Sequence, residues 1–145
     1  MASAFRALLE RLTQAICRGD AEGAAACFVE DGVYHDGFYG EFRGRAAIAD
    51  MVRRHFHGNA TGFSWKLSDV VVQGELGYAS YEFSYTSKIA GSKGRRAGFS
   101  GLCKVRLKDG LIERYEEIFE RAQVLARLGF SDERIVKSVR KWALG

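Results

Sequence analysis

Apolar positions along residues 3–18 fall at Phe5, Leu8, Leu9, Leu12 and Ile16, a spacing that puts them on one side of an α-helix. Gly19 is placed to end that helix, since glycine takes the left-handed conformation of a helix terminus without a Cβ penalty. Asp20 then stands ready to cap a second, shorter helix through Phe28, rich in alanine and glycine and so suited to close packing. A short alternating run over 31–36 predicts a strand. A third helix over 44–56 carries Ile48, Met51, Val52 and Phe56 on one side.

The period changes between Phe63 and Phe119. Aromatic and β-branched residues dominate, punctuated by turn signals at Gly74, Gly91–Gly94 and Asp109-Gly110. FSWKLSDVVVQ, LGYASYEFSYTSKI, RRAGFSGLCKVRLK and LIERYEEIFER read as four long antiparallel strands in a meander. Alternation places Ala79, Tyr81, Phe83 and Tyr85 on one face of the second, and Phe99, Gly101, Cys103, Val105 and Leu107 on one face of the third. Tyr115, Glu117 and Phe119 share a face of the last.

Strands of this length span roughly 35–45 Å at about 3.3 Å per residue. Backed by only three short helices, such a sheet must curl to cover its apolar face, which leaves a conical space between the layers. The tail adds a helix over 121–128, ended by Gly129, and a basic final helix capped by Ser131 with Ile135, Val136, Val139 and Trp142 on one stripe. That helix is placed to close over the cone as a lid or to dock on a partner. The expected fold is α+β: a strongly curved antiparallel sheet wrapped around three N-terminal helices, one domain over residues 1–145 with 121–145 as a helical extension.

Composition narrows the class without choosing an activity. The apolar fraction is 47% and the charged fraction 28%, as in globular domains. No window approaches the roughly 18 uninterrupted apolar residues of a membrane span, and the N-terminus has no apolar signal core, so the expected location is the cytoplasm. Cys17, Cys27 and Cys103 are too few and scattered for a disulfide framework and read as buried free thiols. His35, His55 and His57 lack metal-ligand spacing, with His55 and His57 read as a solvent-wetted helix end, and no metal or cofactor is expected. A net charge of +4 permits nucleic-acid contact without demanding it. Its clusters, SKGRR at 92–96 and ERIVKSVRKW at 133–142, read as a hairpin tip and a solvated helix face.

The candidate chemistry begins in VYHDG. A regular strand there points Tyr34 and Asp36 one way and Val33 and His35 the other, unless a bulge swaps the faces. Asp36-Gly37 is also a good turn dipeptide, so a capping role and a role at a cavity mouth both stand. Glu117 falls on the inward face of the last strand, with an ion pair to Arg45 or Arg106 as the plainer alternative. Arg43-Gly44-Arg45 opens the third helix, as an anion site or simply a solvated first turn.

RGDAEGAAACFVEDGVYHDG (18–37) and FRGRAAIADMV (42–52) resemble the helix-to-strand passage and third-helix start of the NTF2-like superfamily, in its SnoaL-like and ketosteroid-isomerase-like branches. The resemblance covers roughly residues 3–121 and implies a cone-shaped domain with an apolar pocket. In the isomerase branch, Asp36 corresponds to the general-base aspartate. The branch's carbonyl-polarising tyrosine and protonated acid correspond to Leu12 and Cys103, so a true ketosteroid isomerase is not expected.

Asp36 as base and Glu117 as acid are the expected catalytic pair of a cofactor-independent isomerase, dehydratase or polyketide-cyclase type of enzyme. Residues expected to contact a small apolar or aromatic molecule are Tyr34, Tyr39, Phe56, Trp65, Tyr81 and Phe83. Tyr85, Phe99, Cys103, Tyr115 and Phe119 complete that set. The alternative is a non-catalytic binding or interaction module. In either case the outer sheet face is expected to form a homodimer.

Overall fold

The structure, a computed structural model, describes residues 2–145. α1 (Ala2–Arg18) buries Phe5, Leu8, Leu9, Leu12 and Ile16, the stripe its periodicity requires. Gly19 turns the chain at φ 79°, and Asp20 caps α2 (Ala21–Ala25) by accepting from Gly23 N. α2 stops short of the expected Phe28 because the sheet captures the chain: Ile112 N donates to Cys27 O at 2.9 Å, and Phe28 opens β1 (Phe28–Asp36).

β1 slips register between Phe28 and Val33. Gly32 permits the slip, since a Cβ there would meet Phe28 Cβ at 2.9 Å and the Val29 carbonyl at 3.0 Å. Beyond it the strand is regular. A four-residue strand absent from the sequence reading, β2 (Gly40–Arg43), pairs with it, placing Tyr34 opposite Phe42 and Asp36 opposite Gly40. Tyr34 and Asp36 are buried while His35 is half-buried on the other face.

The third helix spans the expected residues but changes form partway. α3 (Arg45–Met51) passes into a π-helical turn, Val52–Phe56, closed by His57 N donating to Val52 O. The His57 side chain anchors this turn through Nε2 to Ile16 O at 2.6 Å. His57 is therefore bonded to α1, not wetted at a helix end.

β3 (Ala60–Gln73), β4 (Leu76–Ser87), β5 (Arg96–Lys108) and β6 (Leu111–Ile118) form the meander, and the sheet order is β2-β1-β6-β5-β4-β3. β1 pairs with β6 in parallel, so the sheet is mixed and not wholly antiparallel. No hairpin joins these two strands, and nothing in the connection forces opposite directions. β3 carries register shifts beside Gly62 and Asp69, both at positive φ, and bulges of this kind bend a strand. The sheet stays open, with β2 and β3 as edges.

Helices finish the concave face: α1 and Ile48, Met51 and Val52 pack at one end. α4 (Arg121–Arg127) places Val124 against Ala97, Tyr85 and Phe99 at the other. α5 (Asp132–Leu144) is capped by Ser131, but its facing differs from the expected stripe. Val136 and Val139 are 49% and 40% exposed, while Trp142 is half-buried. Cys27 and Cys103 are buried free thiols; Cys17 is only half-buried. Among the described residues, no helix is long and apolar enough to cross a membrane.

Candidate active site

Between the sheet and α4–α5 lies a cavity of about 450 Å³, within the range that holds small organic molecules. Phe99 and Phe119 stack at 4.2 Å between ring centroids, and Phe38 meets Phe119 edge-on at 5.2 Å. The same wall continues through Phe83, 5.5 Å edge-on from Phe99, to Trp65 at 5.0 Å from Phe83, with Phe56 and Phe63 beside them. β-strand alternation delivers Trp65, Phe83, Tyr85 and Phe99 to this face, and the π turn swings Phe56 onto it.

Both carboxylates line the cavity. Asp36 is 8% exposed. Its Oδ2 accepts from Phe38 N at 2.8 Å and Tyr39 N at 3.0 Å. The turn reading and the cavity reading are therefore both true of one side chain. Burial pushes the Asp36 carboxyl above its ordinary value, against the opposing pull of those two amides and of His55 and His35.

Glu117 accepts from Tyr81 Oη at 3.0 Å and from Tyr34 Oη at 3.2 Å, one phenol on each carboxylate oxygen. Neither Arg45 nor Arg106 pairs with it: the Arg45 guanidinium donates to Phe28 O instead. Burial, then the charge of Asp36, push Glu117 up to about 8, and the two phenols hold it from going higher. At neutral pH the pair thus consists of a carboxyl that keeps its proton and a carboxyl fixed by a turn. Such a pair can give a proton at one atom and take one at another without a cofactor.

The other expected contacts divide by depth. Tyr39, Phe56, Trp65, Phe83, Tyr85, Phe99 and Phe119 line the cavity. Tyr34, Tyr81, Cys103 and Tyr115 do not; they lie beneath it, at most 1% exposed. Tyr34 stacks on Tyr115 at 4.7 Å, and burial raises the pKa of both phenols. Cys103, raised to about 11 by burial, sits in the core with Leu12.

Several lining residues were not foreseen. His55 packs on the Tyr39 ring at 4.3 Å and faces the cavity from the π turn. Phe63 was findable, being two residues before Trp65 in an alternating strand. Phe38 lies in the Asp36 turn, and Leu125, Leu128, Phe130, Arg134 and Lys141 come from the C-terminal helices and their connection. No local signal in a sequence says which face of a terminal helix will cover a distant sheet. Among the described residues, no group of three or more His, Cys, Asp or Glu side chains comes together to hold a metal ion.

The architecture has close counterparts. TsrD from Streptomyces laurentii superposes with a TM-score of 0.76 at 22% identity, covering 89% of this chain and 97% of its own. A protein of ketosteroid isomerase-like fold from Catenulispora acidiphila, solved in complex with trimethylamine, gives 0.72 at 17% identity, covering 87% and 95%. An LEH-like epoxide hydrolase of M. tuberculosis gives 0.68 at 21%, covering 94% of each chain. None of the curated proteins matches the chain. At such identities the likeness is one of fold, the NTF2-like cone. The SnoaL-like domain matches residues 9–115 in sequence, and with the fold and cavity in agreement the chain belongs to the SnoaL-like domain family.

Proposed function

We propose that this chain binds a small, mostly apolar molecule in the aromatic cavity and moves a proton on it, as a cofactor-independent isomerase, lyase or cyclase. The observation that carries the reading is the pair of carboxyl groups in one apolar cavity, with Glu117 held to about 8. Asp36 is the base: its Oδ2 is committed to the turn, and Oδ1 has no hydrogen-bond partner among the described residues. Glu117 is the acid, giving its proton to a developing oxyanion while Tyr34 and Tyr81 stabilise the carboxylate left behind. Proton abstraction beside a carbonyl, with protonation of the oxygen, is the step shared by enolisation, dehydration and aldol-type closure.

The test uses 2-tetralone in D₂O, with deuterium wash-in beside the carbonyl read by mass spectrometry. Acceleration by the protein is expected, with loss in Asp36→Asn and a drop on the order of 100-fold in Glu117→Gln. Exchange no faster than in buffer, with the ketone bound, would defeat the enzymatic reading. The turn bonds of Asp36 favour a second reading, since they account for that carboxylate without chemistry. On that reading the cavity only binds, and Asp36→Asn leaves ligand affinity unchanged.

Two further proposals concern assembly and setting. Leu102 and Ile118 are cross-strand partners on the outer sheet face, 50% and 62% exposed. Such a patch supports a homodimer through that face with the two cavities turned outward; sedimentation equilibrium showing only monomer at micromolar concentration removes it. Buried free thiols at Cys27 and Cys103 are at home in a reducing compartment, which supports the cytoplasm.

A further inference from the structure

α5 turns only part of its apolar side inward: Ile135 and Trp142 are half-buried, and the cavity side also carries polar residues. A helix laid over an aromatic cavity would ordinarily turn its valines inward and its cations to solvent. Here Val136 and Val139 face solvent, and Arg134, Ser138 and Lys141 line the cavity beside Trp142. The Arg134 guanidinium is held in place: it lies 3.9 Å over the Phe130 ring, and Nη1 donates to Ala90 O at 3.4 Å. Those contacts leave Nη2 and Nε free. Neither Arg134 nor Lys141 pairs with a carboxylate among the described residues, Asp36 and Glu117 included. The cavity is thus lined by aromatic walls, a pair of acids on β1 and β6, and two unpaired cations on the covering helix.

We propose that the ligand is an amphipathic anion: a ring-bearing apolar body with a carboxylate or phosphate group, the anionic group taken by Arg134 and Lys141. This rests on the reading of the cavity as a ligand site. The body lies against the continuous aromatic surface of Trp65, Phe83, Phe99 and Phe119, inside the cavity that Asp36 and Glu117 also line. A fixed guanidinium fork suits either oxyanion, and Lys141 adds a mobile point charge.

A matched pair of fluorescent probes tests this on the whole chain. 1-Anilinonaphthalene-8-sulfonate carries an anionic group, and N-phenyl-1-naphthylamine is its uncharged counterpart. The anionic probe is expected to bind the wild-type protein tighter, to be displaced by the neutral one, and to weaken as salt rises. In Arg134→Gln/Lys141→Gln its affinity falls roughly tenfold or more, while the neutral probe changes less than about twofold. Displacement by 1-naphthoate or by 1-naphthyl phosphate identifies the preferred oxyanion, and displacement by neither overturns the proposal. Equal affinity of the two probes, or an anionic probe that the neutral one fails to displace, overturns the anion site and leaves the cavity reading standing. Binding of neither probe overturns both.

Discussion

Tyr81 donates a hydrogen bond to Glu117 across the intervening β5, Oη to Oε2 at 3.0 Å, and Tyr34 donates to the other oxygen at 3.2 Å. Gly101 makes the first bond possible: a Cβ there would sit 2.6 Å from Tyr81 Oη. Both donors favour the charged carboxylate, so removing either raises the Glu117 pKa further. Tyr81→Phe and Tyr34→Phe are each expected to shift it upward by about one unit. Gly101→Ala displaces the Tyr81 hydroxyl and shifts it the same way. Carbon-detected NMR titration of the glutamate carboxyls reads the shift, and an unchanged Glu117 in Tyr81→Phe would mean the phenol bonds the neutral acid.

Stability carries the same signature. Glu117 titrates at about 8 in the folded chain against an ordinary 4.5. Between those values the folded state holds a proton that the unfolded state releases. This contribution is fully present below about pH 4.5 and is lost as pH rises through about 8. Urea unfolding is expected to show stability falling by an amount on the order of a few kcal/mol from pH 5 to 8.5. Glu117→Gln flattens the slope, and an equal slope in wild type and variant would remove Glu117 as its source.

Tyr115 provides the contrast. It shares the buried layer with Tyr34 and Tyr81, yet its hydroxyl finds no hydrogen-bond partner. A buried unpaired hydroxyl costs about 1–3 kcal/mol. Tyr115→Phe is therefore expected to be neutral or to stabilise by up to about 1 kcal/mol. Tyr34→Phe and Tyr81→Phe, each losing a bonded hydroxyl, are expected to differ from it by denaturant midpoint. Destabilisation of Tyr115→Phe by as much as those two would show that its hydroxyl has a partner after all.

The order of elements was legible because period carries it: 3.6 for α1, 2 for the meander, with Gly19, Asp20, Gly129 and Ser131 at the boundaries. Asp36 and Glu117 were legible for the same reason, being on predictable faces of β1 and β6. What escaped depends on distant partners. β2 has four residues and no pattern of its own; it exists because β1 offers an edge. The parallel join of β1 to β6 and the stop of α2 at Ala25 are set by a strand more than eighty residues away. Likewise, alternation names the inward face but not the depth, so Tyr81 and Cys103 could not be told from Phe83 and Phe99.

The covering helix is the least secured part of the cavity. α5 has no buried residue; Trp142 rests on Phe38 at 6.0 Å, with Arg121 4.3 Å over its ring. A cation–π contact of this exposed kind is worth about 0.5–1 kcal/mol, far below the global stability of a domain. Local opening of α5 should therefore occur without unfolding the sheet. Hydrogen exchange is expected to find the amides of α5 close to unprotected and those of β4 and β5 near the global limit. Trp142→Ala should speed exchange in α5 and release of a cavity probe, while lowering global stability by less than about 1 kcal/mol. Protection in α5 equal to that of β5 would mean that the helix is an integral wall, and ligand would then have to enter by another route.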